Sequence, residues 1–363
     1  MKISRMKLAR FRNLEDLEVE PNERLNILFG PNGSGKTNLC EAIHFTSTGK
    51  NLKGTRQSEL INWEADDALI KVSGENGDQI IVYLKRGEAK QARYNSKEVK
   101  QSELRRVLPT YTFTPEDLNL SQGSPQRRRT MINDQLSTLS DDYGGVLRKY
   151  ESELKKKNNL LKKDEINGEF LDVLNERLVD LGAEIVDRRS EYLSDLNSIL
   201  PGAYQEFAAN NHDLTLNYSD GRYAEASREE VRDILIGDIR ENHDREIELE
   251  NATVGPHRDR FKYRLNGRNL RKFGSQGEQR TAVVATYFSN LELYRETFGR
   301  LPILIFDDIL SELDRNRGDA LLGHLPEDPQ IFMTTATRNQ SFKKLSGEFA
   351  AFELDDGKVE RLR

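Results

Sequence analysis

Cysteine is almost absent from this sequence of 363 residues, in which Cys40 is the single example. One cysteine cannot form a disulfide within the chain and leaves no cysteine-based zinc site. A reducing compartment suits such a chain, so we expect a cytoplasmic location. The sequence also lacks the apolar segment of a signal peptide and any run of the roughly eighteen apolar residues that a membrane span requires. We therefore expect no membrane partner.

A large excess of one charge is missing as well. The chain has 55 basic and 61 acidic residues, which give a formal net charge of -6. This balance excludes a protein that coats nucleic acid along its whole length, so any nucleic-acid surface must be a local patch. Hydrophobic residues make up 36% of the chain, enough for one large domain or two ordinary ones.

A glycine-rich segment follows a short apolar run near the N-terminus. Residues 25–29 have the composition of a strand and residues 37–45 that of a helix, which is the context that a phosphate-binding loop requires. The loop pattern is complete, and its residues are Gly30, Pro31, Asn32, Gly33, Ser34, Gly35, Lys36 and Thr37. Lys36 would neutralise the β- and γ-phosphates, and Thr37 would offer its hydroxyl to Mg²⁺. We predict ATP and Mg²⁺ as the cofactors.

Two acids end a second apolar run, residues 303–306. A strand there would place them at the carboxyl edge of the sheet, where α/β folds bind their ligands. We predict that Asp307 holds Mg²⁺, directly or through water, and that Asp308 is the catalytic base for the attacking water. Asp308 and Lys36 are thus the predicted catalytic residues. A strand that ends in acids at a turn is the structural alternative.

Ser275 and Glu278 have the spacing of a helix-capping box, and an apolar run follows them. A capped helix start with free amides beside glycine is also an anion site. We predict that Ser275 and Gly277 meet the γ-phosphate held by a second copy, and that Asp314 lies at the same junction. One copy would then not complete the ATP site alone, so ATP should drive the formation of a homodimer.

The chain divides into three predicted parts, of which the first two are residues 1–122 and 123–240. The first contains the phosphate loop and two strands, 68–72 and 79–84, that we expect to pair antiparallel. The second has a charged helical texture from 126 to 207, with a leucine-rich seam and a polar turn at 162–168. A helical hairpin that packs on itself and a partner-binding coiled coil both fit this seam.

The third predicted part, residues 241–363, returns to the ATPase. Mixed structure is expected from Pro201 onward. An asparagine–glycine turn at 266–267 predicts a hairpin of two strands, 261–265 and 268–273. Residues 330–334 predict a further buried strand after the acidic one.

Taken together, these motifs resemble the ATP-binding-cassette branch that includes SMC proteins and RecF. The likeness to the RecF family is closer and covers nearly the whole chain. It is carried by residues 8–14, 113–118, 123–125 with 127–129, 255–259 and 307–314. The resemblance implies an α/β fold, namely a cassette-type ATPase head with a mixed sheet, a P-loop core, an antiparallel β part and an inserted α-helical second lobe.

The resemblance also implies a function. Such proteins dimerise on ATP, bind single-stranded, gapped and junction DNA, and work with RecO- and RecR-like partners. Together they place the RecA recombinase on single strands during replication, repair and the SOS response. Hydrolysis would be weak and stimulated by DNA, so that ATP binding acts as a dimerisation switch. By the same resemblance Arg12 would touch the nucleotide phosphates and Gln122 would sense Mg²⁺. An arginine on a surface strand is the structural alternative for Arg12.

The sequence departs from related ATPases at two places. Asp308 is one methylene shorter than the glutamate common at its position. Residues 333–337 stand where related transporters have a histidine after the final core strand, and Thr335 could only orient a water there. Both departures predict slow hydrolysis.

Basic segments are the candidate DNA contacts, although solvated helix faces are the structural alternative. These segments are Lys50, Lys53 and Arg56, residues 127–129, and residues 155–157. Three other functions stay open: an SMC-like structural head, the nucleotide-binding subunit of a transporter, and a binding module whose ATP site only stabilises the fold. The first would need coiled-coil arms of hundreds of residues, whereas only residues 38–274 separate the phosphate loop from the serine motif. The long helical insert argues against the second.

Overall fold

The computed structural model describes the chain except for residues 53, 55, 220, 222, 224 and 337–348. The chain forms two compact units, and the second is inserted into the first. The first unit comprises Met1–Leu118 and Tyr294–Arg363, and the second comprises Asn119–Leu293. Each unit buries its own hydrophobic core. Within the described residues, no helix is both long and apolar enough to cross a membrane.

The N-terminal part of the first unit is built mainly of strands. The burial of β4 and β5 alternates along each strand because one face of this sheet covers the core. The third strand is buried throughout, as expected for a strand inside a parallel sheet. The elements are β1 (Ile3–Phe11), β2 (Leu14–Val19), β3 (Leu25–Phe29), α1 (Lys36–Thr48), β4 (Asp67–Gly74), β5 (Gln79–Lys85), β6 (Gln91–Tyr94), β7 (Lys97–Glu98), α2 (Gln101–Val107) and β8 (Thr110–Phe113).

The second unit is mainly helical and contains one small antiparallel sheet. From Tyr294 onward, the residues of its last helix belong to the first unit. The elements are α3 (Pro125–Leu139), α4 (Asp141–Leu161), α5 (Gly168–Ala208), β9 (Leu214–Tyr218), α6 (Arg228–Glu241), α7 (His243–Glu248), β10 (Phe261–Leu265), β11 (Arg268–Asn269), α8 (Leu270–Phe273) and α9 (Gln276–Phe298).

The leucine-rich seam lies on α5, which packs against α4 within the same unit. The helical hairpin predicted for residues 126–207 is therefore present and packs on itself. The helix α5 contains Pro201 and continues to Ala208, so mixed structure begins after this helix and not at the proline. Buried ion pairs lie between described residues of this unit: Lys157 Nζ lies 2.6 Å from Glu246 Oε2, and Arg189 Nη1 lies 2.6 Å from Asp259 Oδ2.

The predicted hairpin after residue 260 is half right. Strands β10 and β11 pair across the Asn266–Gly267 turn, but residues 270–273 form the short helix α8. This helix begins there because the side chain of Asn269 accepts a hydrogen bond from Lys272 N. Strand β9 pairs with β10, which keeps residues 241–293 in the second unit. The expected boundary at residue 240 therefore differs from the observed one, at Leu293.

The C-terminal part completes the first unit. Its elements are β12 (Ile303–Phe306), α10 (Ile309–Glu312), α11 (Arg315–Gly323), β13 (Ile331–Thr335), β14 (Phe349–Asp355) and β15 (Lys358–Arg361). One sheet has the order β15-β14-β3-β13-β12-β8, in which only β15 is antiparallel to its neighbour. The other, β2-β1-β4-β5-β6-β7, is antiparallel throughout. The parallel strands end at one edge, and the predicted nucleotide residues follow β3 and β12 there.

Candidate nucleotide site

The phosphate loop joins β3 to α1 through backbone conformations that favour glycine. Gly30 has φ 149°, and a Cβ at this position would lie 2.0 Å from the carbonyl oxygen of Leu354. Gly35 has φ 105° immediately before α1. Larger residues could not follow this path without moving the neighbouring backbone. The sequence therefore determines the loop locally, and the structure has the predicted strand–loop–helix arrangement.

Lys36 is buried inside this loop. Its Nζ donates hydrogen bonds to the carbonyl oxygens of Gly30, at 2.7 Å, and Pro31, at 2.8 Å. Burial lowers the pKa of Lys36, while the nearby charges of Asp308 and Asp307 oppose that shift. The ammonium is thus held among neutral carbonyl groups, a position from which it can turn to a phosphate.

Asp307 is the meeting point of three elements. Its Oδ1 accepts hydrogen bonds from Thr37 Oγ1, at 2.9 Å, and from Thr334 Oγ1, at 2.8 Å. Thr37 lies in the first turn of α1, and Asp307 directly follows β12. Thr334 belongs to β13, the strand that separates β12 from β3. Burial raises the pKa of Asp307, although the hydrogen bonds from Thr334 and Thr37 lower it. The two residues predicted to hold Mg²⁺ are therefore in direct contact.

Asp308 adopts the left-handed conformation, with φ 50°, which is costly for a residue other than glycine. Its backbone N donates to Thr334 Oγ1 at 2.8 Å, and its carbonyl oxygen accepts from Ser311 Oγ at 2.8 Å. Burial raises the pKa of its side chain, and Lys36 acts in the opposite direction. The strained backbone thus fixes a carboxylate at the edge where β12 ends.

Two buried oxygens at this edge have no hydrogen-bond partner among the described residues. They are Ser34 Oγ in the phosphate loop and Asp308 Oδ1. Buried polar atoms of this kind need a partner, because leaving them unsatisfied costs free energy. A nucleotide phosphate with its Mg²⁺ and water fits these atoms, the buried Lys36 ammonium and the touching pair of Thr37 and Asp307.

Arg12 lies against α1. Its Nε and Nη2 donate to the two carboxylate oxygens of buried Glu41 at 2.9 and 3.1 Å, and Glu41 also accepts from Leu52 N at 3.2 Å. The neighbouring Asn13 donates from Nδ2 to the carbonyl oxygen of Gly33 at 2.9 Å. Sequence reasoning missed Asn13 and Glu41. The only signal for Asn13 was its place next to Arg12.

Ser275 caps α9 as the spacing predicts. Its Oγ accepts from Glu278 N at 3.2 Å, and Glu278 Oε2 accepts from Ser275 N at 2.7 Å. Ser275 is exposed, and the carbonyl oxygen of Gly277 accepts from Thr281 Oγ1 at 2.9 Å. Both belong to the second unit. The capping role is confirmed, and contact with the nucleotide of another copy stays a prediction.

Three further predicted positions have plain structural surroundings. Asp314 caps α11 by accepting from Arg317 N at 3.1 Å, and it also pairs with the guanidinium of Arg317. Gln122 is exposed in a turn of the second unit, where its backbone N donates to Asn119 O at 3.1 Å. Thr335 is buried at the end of β13. Thr337 lies outside the described residues.

The basic candidates for DNA contact divide by burial. Lys50, Arg56, Arg127, Lys155 and Lys156 are exposed, whereas Arg128 and Lys157 are buried and hydrogen-bonded or paired within the second unit. Arg129 is intermediate and donates to the carbonyl oxygen of Asp259. Lys53 lies outside the described residues. The two buried cations therefore bind groups of the second unit itself.

A complete phosphate loop and a buried acid at one edge of a parallel sheet define a P-loop nucleotide-binding protein. The family model described as RecF/RecN/SMC N terminal domain matches residues 2–359. Over 99% of both chains, the protein is 32% identical to the DNA replication and repair protein RecF of Clostridium acetobutylicum. It is 33% identical to that of Clostridium tetani over 98% of this chain and 99% of the relative. The chain therefore belongs to the RecF family.

Solved structures agree with this assignment. A structure described as the recombination mediator protein RecF-ATPrS in the RecFOR pathway superposes with a TM-score of 0.89 and 28% identity, covering 99% of this chain and 98% of that one. The fold likeness extends to an SMC head bound to the C-winged helix domain of ScpA, with a TM-score of 0.60 and 14% identity, covering 100% of this chain and 98% of that one. The predicted fold, a cassette-type ATPase head with an inserted helical part, is confirmed.

Proposed function

We propose that this protein is an ATP-dependent DNA-binding protein of recombinational repair. It acts in the cytoplasm, and with RecO- and RecR-like partners it helps to load the RecA recombinase at single-stranded gaps. This work serves DNA replication, repair and induction of the SOS response. Family membership supports the proposal, since the relatives carry the name DNA replication and repair protein. The single observation that carries the ATP dependence is the contact of Thr37 and Asp307 beside buried Lys36.

The nucleotide is bound by the loop residues 30–37. Lys36 leaves the carbonyl groups that it now caps and contacts the β- and γ-phosphates, while Thr37 and Asp307 hold Mg²⁺. Bound Mg²⁺ neutralises phosphate charge. Thr334 orients Asp307 through its hydroxyl, which is a positioning role. Arg12 contacts the phosphates, with Glu41 orienting its guanidinium through Nε and Nη2.

Hydrolysis is slow and is stimulated by DNA. Asp308 accepts the proton of the attacking water, and its raised pKa and unpartnered Oδ1 support this role. The short side chain of Asp308 limits its reach toward the water. ATP binding therefore acts mainly as a switch, with Gln122 as the proposed sensor of Mg²⁺.

A second copy completes the site. Its Ser275 and Gly277 contact the γ-phosphate, and its Asp314 lies at the same junction. The exposure of Ser275 and its position at the start of a 23-residue helix support this arrangement, because the positive end of the helix dipole favours an anion. The DNA ligands of this homodimer are single-stranded, gapped and junction DNA. The long helical insert and the relatives' names favour this function over a transporter subunit or an SMC-like structural head.

The molecular mass in solution, measured with and without ATP and Mg²⁺, tests the proposal. The wild-type protein should become a dimer only with ATP. Lys36→Met should lose both ATP binding and the dimer, whereas Ser275→Arg should bind ATP as a monomer. Equal dimerisation by all three proteins would reject the shared site.

A further inference from the structure

A basic pocket of about 320 Å³ lies in the second unit beside the short helix α8. Helix α8 lies just before Ser275 in the sequence. None of the residues that line the pocket belongs to the nucleotide site described above. Two aromatic residues form part of its wall. Its polar lining comes from Ser121, Arg128, Lys262, Asn269, Arg271 and Lys272.

The pocket has four cations and no carboxylate in its lining. Within the described residues, none of the four forms an ion pair. Arg128 is buried, and its guanidinium donates only to backbone carbonyl oxygens, those of Phe261 at 2.9 Å, Leu120 at 2.8 Å and Gly123 at 3.0 Å. Burial lowers the pKa of Arg128, and the charge of Arg271 lowers it further. A guanidinium nevertheless stays protonated in proteins, so the pocket keeps an uncompensated positive charge.

Ser121 adds an unsatisfied donor to this charge. The residue is 4% exposed, and its Oγ has no hydrogen-bond partner among the described residues. Its turn is held in place by Arg128, whose guanidinium binds the carbonyl groups on both sides of Ser121. A buried hydroxyl without a partner is uncommon and costs free energy unless a ligand or water satisfies it. The hydroxyl and the cations therefore point to an anion.

We propose that this pocket is a phosphate-binding subsite. Guanidinium and ammonium groups with a hydroxyl are the donors that match phosphate oxygens, and the absence of a carboxylate leaves the site free to accept them. The phosphate belongs to a nucleic-acid strand or to a nucleotide, which present the same oxygens. Exposed Phe273, at 73%, follows Lys272 directly and favours the strand, because unpaired bases stack on aromatic rings beside a basic groove. Only the nucleic-acid source rests on the proposed function.

The first test measures binding of a fluorescein-labelled single-stranded oligonucleotide by anisotropy at several salt concentrations. The double variant Arg271→Gln/Lys272→Gln removes two charges from the pocket. Lys162→Gln/Lys163→Gln, in the turn after α4, removes two exposed charges from the same unit and is the matched control. We expect the pocket variant alone to reduce the slope of log affinity against log salt, by about 0.7 for each lost phosphate contact.

Inorganic phosphate and ATP, measured by equilibrium dialysis with labelled ligand, form the second arm. For ATP, the measurement uses the Lys36→Met background, in which the phosphate loop should no longer bind the nucleotide. Any remaining binding then reports the pocket. Loss of phosphate or ATP binding in the pocket variant but not in the control would assign the site to a free or nucleotide phosphate. Loss confined to the oligonucleotide would assign it to a strand.

Ser121→Ala tests the contribution of the hydroxyl separately from that of the four cations in the pocket. Because the hydroxyl has no hydrogen-bond partner among the described residues, its removal should leave the melting temperature unchanged or higher. It should weaken binding of the ligand found above by roughly ten- to a hundredfold, as expected for a lost hydrogen bond to a charged group. Equal behaviour of the pocket and control variants in both arms, or a wild-type chain that binds neither the oligonucleotide nor phosphate, overturns the subsite. A wild-type chain that binds phosphate but no DNA contradicts only the proposed function.

Discussion

The buried hydroxyl of Thr334 gives a specific prediction about the nucleotide site, because it hydrogen-bonds to both Asp307 and Asp308. It donates to Asp307 Oδ1 and accepts from the backbone N of Asp308. Thr334→Val keeps the shape of the side chain and removes both hydrogen bonds. A hydrogen bond to a charged group contributes about 1.5–3 kcal/mol and a neutral one about 0.5–1.5 kcal/mol. We therefore expect the free energy of unfolding to fall by roughly 2–4 kcal/mol.

The chain provides a matched control for this substitution. Thr110 is buried in β8 of the same sheet, and its Oγ1 has no hydrogen-bond partner among the described residues. Thr110→Val should therefore leave the stability unchanged or slightly raise it. Urea unfolding followed by circular dichroism measures both variants against the wild-type chain.

The same substitution should weaken the binding of ATP with Mg²⁺. Without the Thr334 donor, the pKa of Asp307 rises further and its carboxylate loses one of the two groups that orient it. Loss of such a positioning contact typically costs about tenfold or more in metal affinity. Equal stability and equal nucleotide affinity of the two valine variants would refute the role given to Thr334.

Three further predictions concern the scaffold. Gly30→Ala should lower the free energy of unfolding by more than about 2 kcal/mol, because its Cβ would meet backbone. Gly87 has open space and φ 76°, so Gly87→Ala should lower that free energy by only about 1 kcal/mol, as measured by urea unfolding. Lys157→Met should destabilise the chain by about 3–5 kcal/mol, because it leaves the buried carboxylate of Glu246 without its cation. Arg232→Gln breaks an exposed pair with Asp180 and should cost under about 1 kcal/mol. Burial lowers the pKa of His257 to about 4, so between about pH 6.5 and 4 the unfolded chain binds more protons and stability should fall as pH decreases. His257→Gln should flatten that fall between about pH 7 and 5; an unchanged slope would contradict it.

The sequence was most informative where neighbouring residues determine the structure. The phosphate loop depends on local glycine conformations, and the Ser275 cap depends on a residue three positions away. Both features could therefore be predicted without knowing the sheet. The asparagine–glycine turn predicts that residues 270–273 continue a strand, but the Asn269 cap starts a helix there instead. That outcome depends on competition between two local signals.

Contacts between distant segments could not be derived from composition or spacing. Thr334 reaches Asp307 only because β13 lies between β3 and β12, and the order of strands in a parallel sheet leaves no trace in the sequence of any one strand. Sequence reasoning considered the adjacent Thr335 instead. The pairing of Arg12 with Glu41 likewise joins the turn after β1 to α1, the helix that follows the phosphate loop.

A mixing experiment tests the shared ATP site most directly. Lys36→Met keeps an intact Ser275 but cannot bind ATP, whereas Ser275→Arg binds ATP but lacks the serine. Neither variant should dimerise alone, and a mixture should form a dimer of the two different chains, because one complete site then exists. Native mass spectrometry with ATP and Mg²⁺, on chains tagged to differ in mass, separates these species. A mixed dimer that appears only with ATP is the predicted result, and dimers of Ser275→Arg with itself at the wild-type level would contradict the account.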